Sequence, residues 1–368
     1  MVVALAVALG AAVLSGAVGA TALPKNTLLI EHWNSQAWTV TQAPAPAGCS
    51  ELSAVTAISP TSLWAVGSSV TTTGATLTWH PLAEHYDGVS WSPVVLPTPN
   101  ENAKSGLVAV SGSSDTDVWA VGSIGHTLTE HYNGTAWKVV PSLHATGSEL
   151  AGVATISPSN AWAVGATGTG TGKTHSLIEH WDGSTWQRVP APDPAGPSDE
   201  LLSIAAWSAR NIWAVGDSWF HVHMRTFTLR WNGARWKNVW NPSSPSRQSS
   251  LRAVTVLGAT HAWAVGSSRK AGSYEPLAEN FVYCTWRDSS VRHPSDGAVD
   301  LYALSVLPGD NGWAVGSIGD TPQTLAEHWN GANWQFTSTP DLQAPAVLRG
   351  VAAVSGHDVW AVGSSTAP

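Results

Sequence analysis

The tetrapeptide Trp-Ala-Val-Gly occurs seven times in 368 residues, beginning at Trp64, Trp119, Trp162, Trp213, Trp263, Trp313 and Trp360. Successive copies lie 55, 43, 51, 50, 50 and 47 residues apart. Self-similarity at such a period belongs to a propeller or a solenoid, where one supersecondary unit buries its apolar surface only by stacking on its neighbours. The repeat therefore constrains the architecture far more tightly than the chemistry.

Between the tetrapeptides stands a second element, Glu-His-Trp-Asn-Gly-x-x-Trp with variation, at 31–38, 84–91, 130–137, 179–186, 229–236, 279–286 and 327–334. The two elements take eighteen of the 22 tryptophans. Each repeat reads as four short strands: an apolar run such as 52–58, the Trp-Ala-Val-Gly strand, the Glu-His-Trp strand, and a last strand after an Asn-Gly or Asp-Gly turn. β-Branched and aromatic residues between turn clusters are the strand signal, and Asn-Gly or Asp-Gly accepts the positive φ of a hairpin turn. Four antiparallel strands about every 50 residues describe a β-propeller blade. Along the second strand Trp64 and Val66 face one way and Ala65 and Gly67 the other, so that a bulky face nests on a small one.

Phase determines how the ring closes. The chain carries the second element alone near its start (28–40) and the first element alone at its end (348–363). The reading is all-β: a seven-bladed β-propeller of four-stranded antiparallel blades, with one blade split between N- and C-terminal segments. Such closure removes the exposed strand edges that invite aggregation.

Residues 2–20 are almost wholly apolar, and Ala20-Thr21-Ala22 has the small-x-small form of a leader cleavage site. Residues 1–22 are read as a signal peptide, the rival being an uncleaved membrane anchor, and 23–368 as one propeller domain. The expected location is secreted or cell-surface, with membrane contact only through a retained N-terminal segment. Net charge is −8, with 17 Lys+Arg against 25 Asp+Glu. That balance excludes nucleic acid as a partner, because such binding draws on neutralisation of phosphates by basic clusters. Cys49 and Cys284 occupy unrelated repeat positions and are not expected to pair. No cofactor or metal is expected, and the chain reads as a monomer.

Residues that recur from blade to blade are explained by packing before chemistry. Truncating a buried Trp costs about 3–5 kcal/mol against a total stability of about 5–15 kcal/mol, so stability alone accounts for the repeated tryptophans. Glu31, Glu84, Glu130, Glu179, Glu279 and Glu327, and the histidines beside them, read as structural hydrogen-bond partners, since catalytic carboxylates need differing environments. Asp115-Thr116-Asp117 reads as an Asp-stabilised turn.

The residues that break the repeat are the candidate site. The connections between second and third strands vary most, at 68–81, 123–126, 166–175 and 217–225, and binding residues concentrate on variable loops held by a rigid scaffold. Trp79 and His80 lie in one such loop, Trp219, His221, His223 and Arg225 in another, and Arg269 and Tyr274 in the next. Aromatic rings beside polar groups stack on sugars or grip peptides, although these rings equally well fold back over their own loops. His221-x-His223 presents two imidazoles on one side but no visible third metal ligand.

Units such as 177–186 (Leu-Ile-Glu-His-Trp-Asp-Gly-Ser-Thr-Trp) and 354–363 (Val-Ser-Gly-His-Asp-Val-Trp-Ala-Val-Gly) resemble those of exported bacterial proteins built from tandem Trp-Ala-Val-Gly and Glu-His-Trp-Asn-Gly units. The resemblance covers nearly all of 27–363 and implies an exported propeller. More distantly, the repeat is similar to Asp-box propellers, including sialidases and the photosystem II assembly factor. The chain departs from the Asp-box pattern by an aromatic directly before Asp or Asn and no spacer before Gly, and Arg225, Arg230, Arg269 and Arg287 form no recognisable catalytic set. The resulting expectation is a non-catalytic module binding a glycan or a cell-surface protein through one face. The alternative is a carbohydrate-active enzyme, glycosidase or lyase, using Asp193, Asp199, Glu200, Asp217 and His221.

Overall fold

The computed structural model describes residues 26–366 except 45, 47, 74–75, 98–103, 144, 169–172, 193–197, 221–222, 243–247, 271, 292, 294–296 and 310. The proposed leader, Asp193 and His221 lie outside the described residues. No helix among the described residues is long and apolar enough to cross a membrane.

Seven four-stranded antiparallel sheets make up the described fold. The chain enters with β1 (Asn26–Trp33) and β2 (Trp38–Val40). Blade 1 is β3 (Cys49–Ser59), β4 (Ser62–Thr73), β5 (Thr76–Tyr86) and β6 (Trp91–Val94). Blade 2 is β7 (Gly106–Ser114), β8 (Asp117–Ser123), β9 (Thr127–Tyr132) and β10 (Trp137–Val139). Blade 3 is β11 (Glu149–Ser157), β12 (Asn160–Thr167), β13 (His175–Trp181) and β14 (Trp186–Arg188). Blade 4 is β15 (Ser198–Ser208), β16 (Asn211–Phe220), β17 (His223–Trp231) and β18 (Trp236–Asn238). Blade 5 is β19 (Gln248–Gly258), β20 (His261–Lys270), β21 (Ser273–Val282) and β22 (Thr285–Ser289). Blade 6 is β23 (Val299–Leu307), β24 (Asn311–Ile318), β25 (Gln323–Trp329) and β26 (Trp334–Thr337). The last strands, β27 (Ala346–Ser355) and β28 (Asp358–Thr366), join β1 and β2 in the order β2-β1-β28-β27, which is the split seventh blade. Leu29 pairs with Gly363 and Glu31 with Ala361 across that seam.

First strands contact one another in a closed circuit, β3 with β7, β11, β15, β19, β23, β27 and back to β3 in succession. They therefore surround the axis, and second to fourth strands lie progressively outward. Apolar clusters fill the blade interfaces. Trp64 and Val66 pack with Leu107 and Trp137 of blade 2, whereas Leu63 and Ala65 pack with Ile30 and Val362 of the split blade. Each Trp-Ala-Val-Gly tryptophan inserts into the next blade between its Glu-His-Trp aromatic and the Trp after the turn. Trp64 lies 4.8 Å from Tyr132 and 5.3 Å from Trp137. The circuit closes where Trp313 meets Trp33 and Trp38, and Trp360 meets Tyr86 and Trp91.

The glycine of the tetrapeptide has a different cause from the expected nesting of blades. A Cβ on Gly67 would lie 2.0 Å from the carbonyl oxygen of Glu51, on the first strand of the same blade. Gly122, Gly165, Gly216, Gly266, Gly316 and Gly363 meet their own first strands in the same way. Each close approach sits beside a β-bulge, between Leu52 and Ala54 in blade 1 and at the equivalent place in all the others. Glycine in a strand interior commonly marks such a bulge. Nesting against the neighbouring blade falls to the alanine.

The Asp-Gly and Asn-Gly turns also work differently from the reading above. Only Gly takes positive φ, as in Gly88 (93°) and Gly134 (88°). The Asx residue stands before the turn, and its Oδ1 accepts two backbone N–H groups, those of Val89 and Ser90 for Asp87 at 2.9 Å each. Blade 5 substitutes Tyr283 (φ 51°) and Cys284 (φ 67°), both in the left-handed region. Cys49 and Cys284 are not bonded to one another.

A larger correction concerns the variable connections. The segments read as loops 68–81 and 217–225 are mostly strand: β4 and β5 stay paired out to Thr73 and Thr76, and β16 and β17 out to Phe220 and His223. In blade 5 the pairing of β20 and β21 continues to Lys270 and Ser273. Val70, Thr72 and Trp79 there are residues of high strand preference and continue the strand pattern past the repeat unit.

Candidate functional site

Antiparallel blades put the hairpins between second and third strands, and the start of each first strand, at one end of the disc. Ser198 at the start of β15 pairs with Trp219 near the tip of the blade 4 hairpin. This hairpin face carries the repeat-breaking residues. Trp79 is half-buried in β5 opposite Val70, with the Lys104 ammonium 5.5 Å from its ring centroid and its carbonyl accepting the Ser105 hydroxyl at 2.9 Å. His80 Nε2 is 3.1 Å from the Thr71 hydroxyl. Trp219 is half-buried opposite Met224, and His223 is exposed opposite Phe220. The Arg225 guanidinium lies 5.2 Å from the Phe220 ring, and that of Arg269 5.6 Å from Tyr274.

The structure thus gathers Trp219, His223, Arg225, Arg269 and Tyr274 on the neighbouring blades 4 and 5, whereas Trp79 and His80 stand across the ring on blade 1. Arg230 belongs elsewhere. It occupies the histidine position of its repeat, donating to Asn211 at 3.0 Å and to the Ala259 carbonyl at 2.7 Å. The repeated histidines have the structural role expected of them: His131 and His32 hold Asp117 and Asp358 at 2.8 Å, and His131 stacks on Trp119 at 4.3 Å. Asp117 is therefore a partner of His131 as well as a turn residue.

The repeated glutamates are only partly the hydrogen-bond partners expected. Glu179 accepts the Leu143 N–H at 3.0 Å, and Glu279 accepts from Asn241 at 3.3 Å, each receiving the connection from the preceding blade. Glu84, Glu130 and Glu327 are fully buried with no partner for either oxygen. Burial pushes Glu130 and Glu327 up to about 8 and Glu84 to about 7, because a carboxylate in apolar surroundings loses its hydration.

A further cluster, missed in the sequence, occupies the axial mouth on the same face. The bulge after the recurring leucine inserts one extra residue per blade on the edge of the first strand away from its partner. Those residues are Ser53, Val108, Ala151, Leu202, Arg252, Tyr302 and Arg349. The guanidinium groups of Arg252 and Arg349 lie 5.2 and 5.6 Å from the Tyr302 ring, one from each neighbouring blade. Arg349 Nε is 3.9 Å from Glu51 Oε2, which continues the cluster into blade 1. On the blade 4 side Glu200 pairs in register with Asp217, whose carboxylate accepts the Ser250 hydroxyl at 2.8 Å. Burial raises both acids; nearby Asp217 and Glu149 raise Glu200 further, while Arg252 opposes the shift. Asp199 instead ties blade 4 to blade 3, its carboxylate accepting from the Ser176 N–H at 2.9 Å and from the Ser176 hydroxyl. The legible signal for this cluster was the variable position immediately after Leu251, Leu301 and Leu348, in a strand otherwise small and apolar.

No protein-family model matches the chain, and no curated protein matches it in sequence. Solved structures are similar in fold. YCF48 bound to a D1 peptide is 15% identical, with TM-score 0.54 over 87% of this chain and 94% of that one. The WD40 propeller domain of Doa1 is 12% identical, with TM-score 0.54 over 87% and 94%. An ulvan lyase bound to a sulfated glucuronate–rhamnose polysaccharide is 10% identical, with TM-score 0.54 over 82% and 90%. At these identities the likeness is one of fold, which carries many functions.

Proposed function

We propose that this chain is an exported, non-catalytic binding propeller that takes a glycan or a cell-surface protein on its hairpin face. The observation that carries the reading is the coincidence, on one end of the disc, of three extended hairpins bearing non-repeated aromatic and basic side chains with a polarised axial mouth. The opposite end is short turns of uniform build. Propellers of this fold include one that holds a peptide and one that holds a polysaccharide, and the tandem repeat units resemble those of exported proteins. The apolar segment 2–20 supports export. Substituting Trp79→Ala and Trp219→Ala separately tests the surface: glycan-array or cell-surface binding falls while the melting temperature stays. A fall in both together assigns the rings to packing.

A second reading rests on Glu200 standing directly opposite Asp217, beside Arg252. A carboxyl kept protonated next to an ionisable partner is the arrangement of a general acid in glycoside cleavage. Turnover of a bound glycan that Glu200→Gln abolishes supports that reading, and binding without turnover removes it.

A further inference from the structure

The axial mouth divides into two sectors. Blades 5, 6 and 7 contribute Arg252, Tyr302 and Arg349, and blades 1, 3 and 4 contribute Glu51, Glu149 and Glu200, with Asp217 buried behind Glu200 on the second strand. The acids engage the cations only in part: Arg252 acts on Glu200 through charge alone, and Arg349 meets Glu51 at 3.9 Å. Arg252 makes no ion pair among the described residues, and its Nε is buried without an acceptor. Arg349 Nε is likewise buried without a hydrogen-bond acceptor, its ion-pair partner Glu51 lying 3.9 Å away, beyond hydrogen-bond reach. A guanidinium presents five N–H donors in a planar fork; the buried Nε cannot be reached from the mouth, and the terminal Nη groups, which are not among the buried unpartnered atoms, are the donors open to a planar oxyanion ligand. Both guanidiniums are positioned by the Tyr302 ring, whose face attracts cations.

The opposite sector offers carboxyl oxygens as acceptors, and Glu200, which burial raises to about 8, can donate as well. A polyanion is disfavoured there by repulsion from Glu51 and Glu149. A ligand with one carboxylate and several hydroxyl donors on the same small ring satisfies both sectors. The geometry points to an acidic-saccharide subsite in the axial mouth, where Arg252 and Arg349 take the sugar carboxylate beside Tyr302 and the carboxylates across the mouth accept its hydroxyls. The assignment rests on the hairpin face being the binding surface, and it places the anion-reading element at the centre of that surface, outside the hairpin aromatics.

The test is calorimetric titration of the full chain with a tetrasaccharide that carries a single glucuronate, beside its carboxyl-reduced counterpart, repeated with Arg252→Gln and Arg349→Gln. The expected result is that carboxyl reduction and each substitution weaken binding about 10- to 100-fold, the scale of a lost charge-assisted hydrogen bond, with the melting temperature held. Arg349→Lys, which keeps the charge but not the fork, recovers only part of the loss. Acidic and reduced saccharides binding equally well overturns the subsite while leaving the hairpin-face reading intact. Binding of neither form likewise overturns the subsite, and the hairpin-face reading then stands or falls on the Trp79→Ala and Trp219→Ala comparison. Tighter binding of an acidic peptide than of any saccharide overturns the choice of ligand class. If a glutamine variant fails to fold, the carboxyl-reduction comparison on the unaltered protein decides alone.

Discussion

The Trp38 ring, from the N-terminal segment, meets that of Trp313 edge-on with centroids 5.1 Å apart. Blade 6 is thereby sealed against a strand that precedes it by the whole length of the propeller. Stability of the ring depends on pairing between segments more than 300 residues apart in the chain.

Trp38→Ala should cost about 3–5 kcal/mol, as for other buried Trp truncations, and removal of residues 26–41 should abolish cooperative unfolding. Chemical denaturation followed by tryptophan fluorescence measures both. An unchanged midpoint after removal of the segment would show that β27 and β28 hold without it.

Gly122→Ala tests the bulge. The new Cβ would sit 2.0 Å from the Gly106 carbonyl oxygen, a backbone atom that cannot rotate away. A loss of about 1–3 kcal/mol is expected from overpacking, against the gain of a few tenths that Gly→Ala brings at an unstrained site. A neutral or stabilising result in urea denaturation would refute the close approach.

The buried glutamates make stability pH-dependent in a definite direction. Glu130 and Glu327 hold their protons in the folded state up to about 8, whereas the free carboxyl ionises near 4.5. The folded chain therefore binds more protons than the unfolded one between those values, and stability falls as pH rises. The contribution is fully present below about 4.5 and is lost as pH passes through about 8. Scanning calorimetry should give a higher melting temperature at pH 5 than at pH 8, and Glu130→Gln should raise the value at pH 8 while leaving pH 5 nearly unchanged. A melting temperature that rises from pH 5 to pH 8 contradicts the assignment.

The blade 5 turn should be improvable. Tyr283 and Cys284 both adopt positive φ, which costs roughly 1–2 kcal/mol for a residue with a Cβ. Cys284→Gly alone, or with Tyr283→Asn, should stabilise the chain and raise its denaturation midpoint, since Asn-Gly is the favoured pair for a two-residue turn with both φ positive. A lower midpoint would mean that the Tyr283 and Cys284 side chains contribute more than the turn strain removes.

Much of the fold was legible because it repeats. The spacing of Trp64 to Trp360, the phase of 28–40 against 348–363, and the small Ala65 beneath a bulky neighbour specify blade count, closure and interface, each through local patterns of size and polarity. The extended hairpins were less legible: Trp79 and Arg225 stand out in the sequence as departures from the repeat, but a lengthened strand and a loop differ only in whether Val70 and Ser218 find partners opposite them.

The linear chain by itself determined a seven-bladed ring with one split blade, since a repeated amphipathic strand unit has few ways to bury both faces. Tertiary structure alone decided what lies on the axis. Arg252, Tyr302 and Arg349 are about 50 residues apart in sequence, and each occupies a bulge whose existence depends on a glycine in the adjacent strand. Only closure of the ring sets three such bulges side by side, because the separation between blades along the chain becomes a few ångströms around the axis.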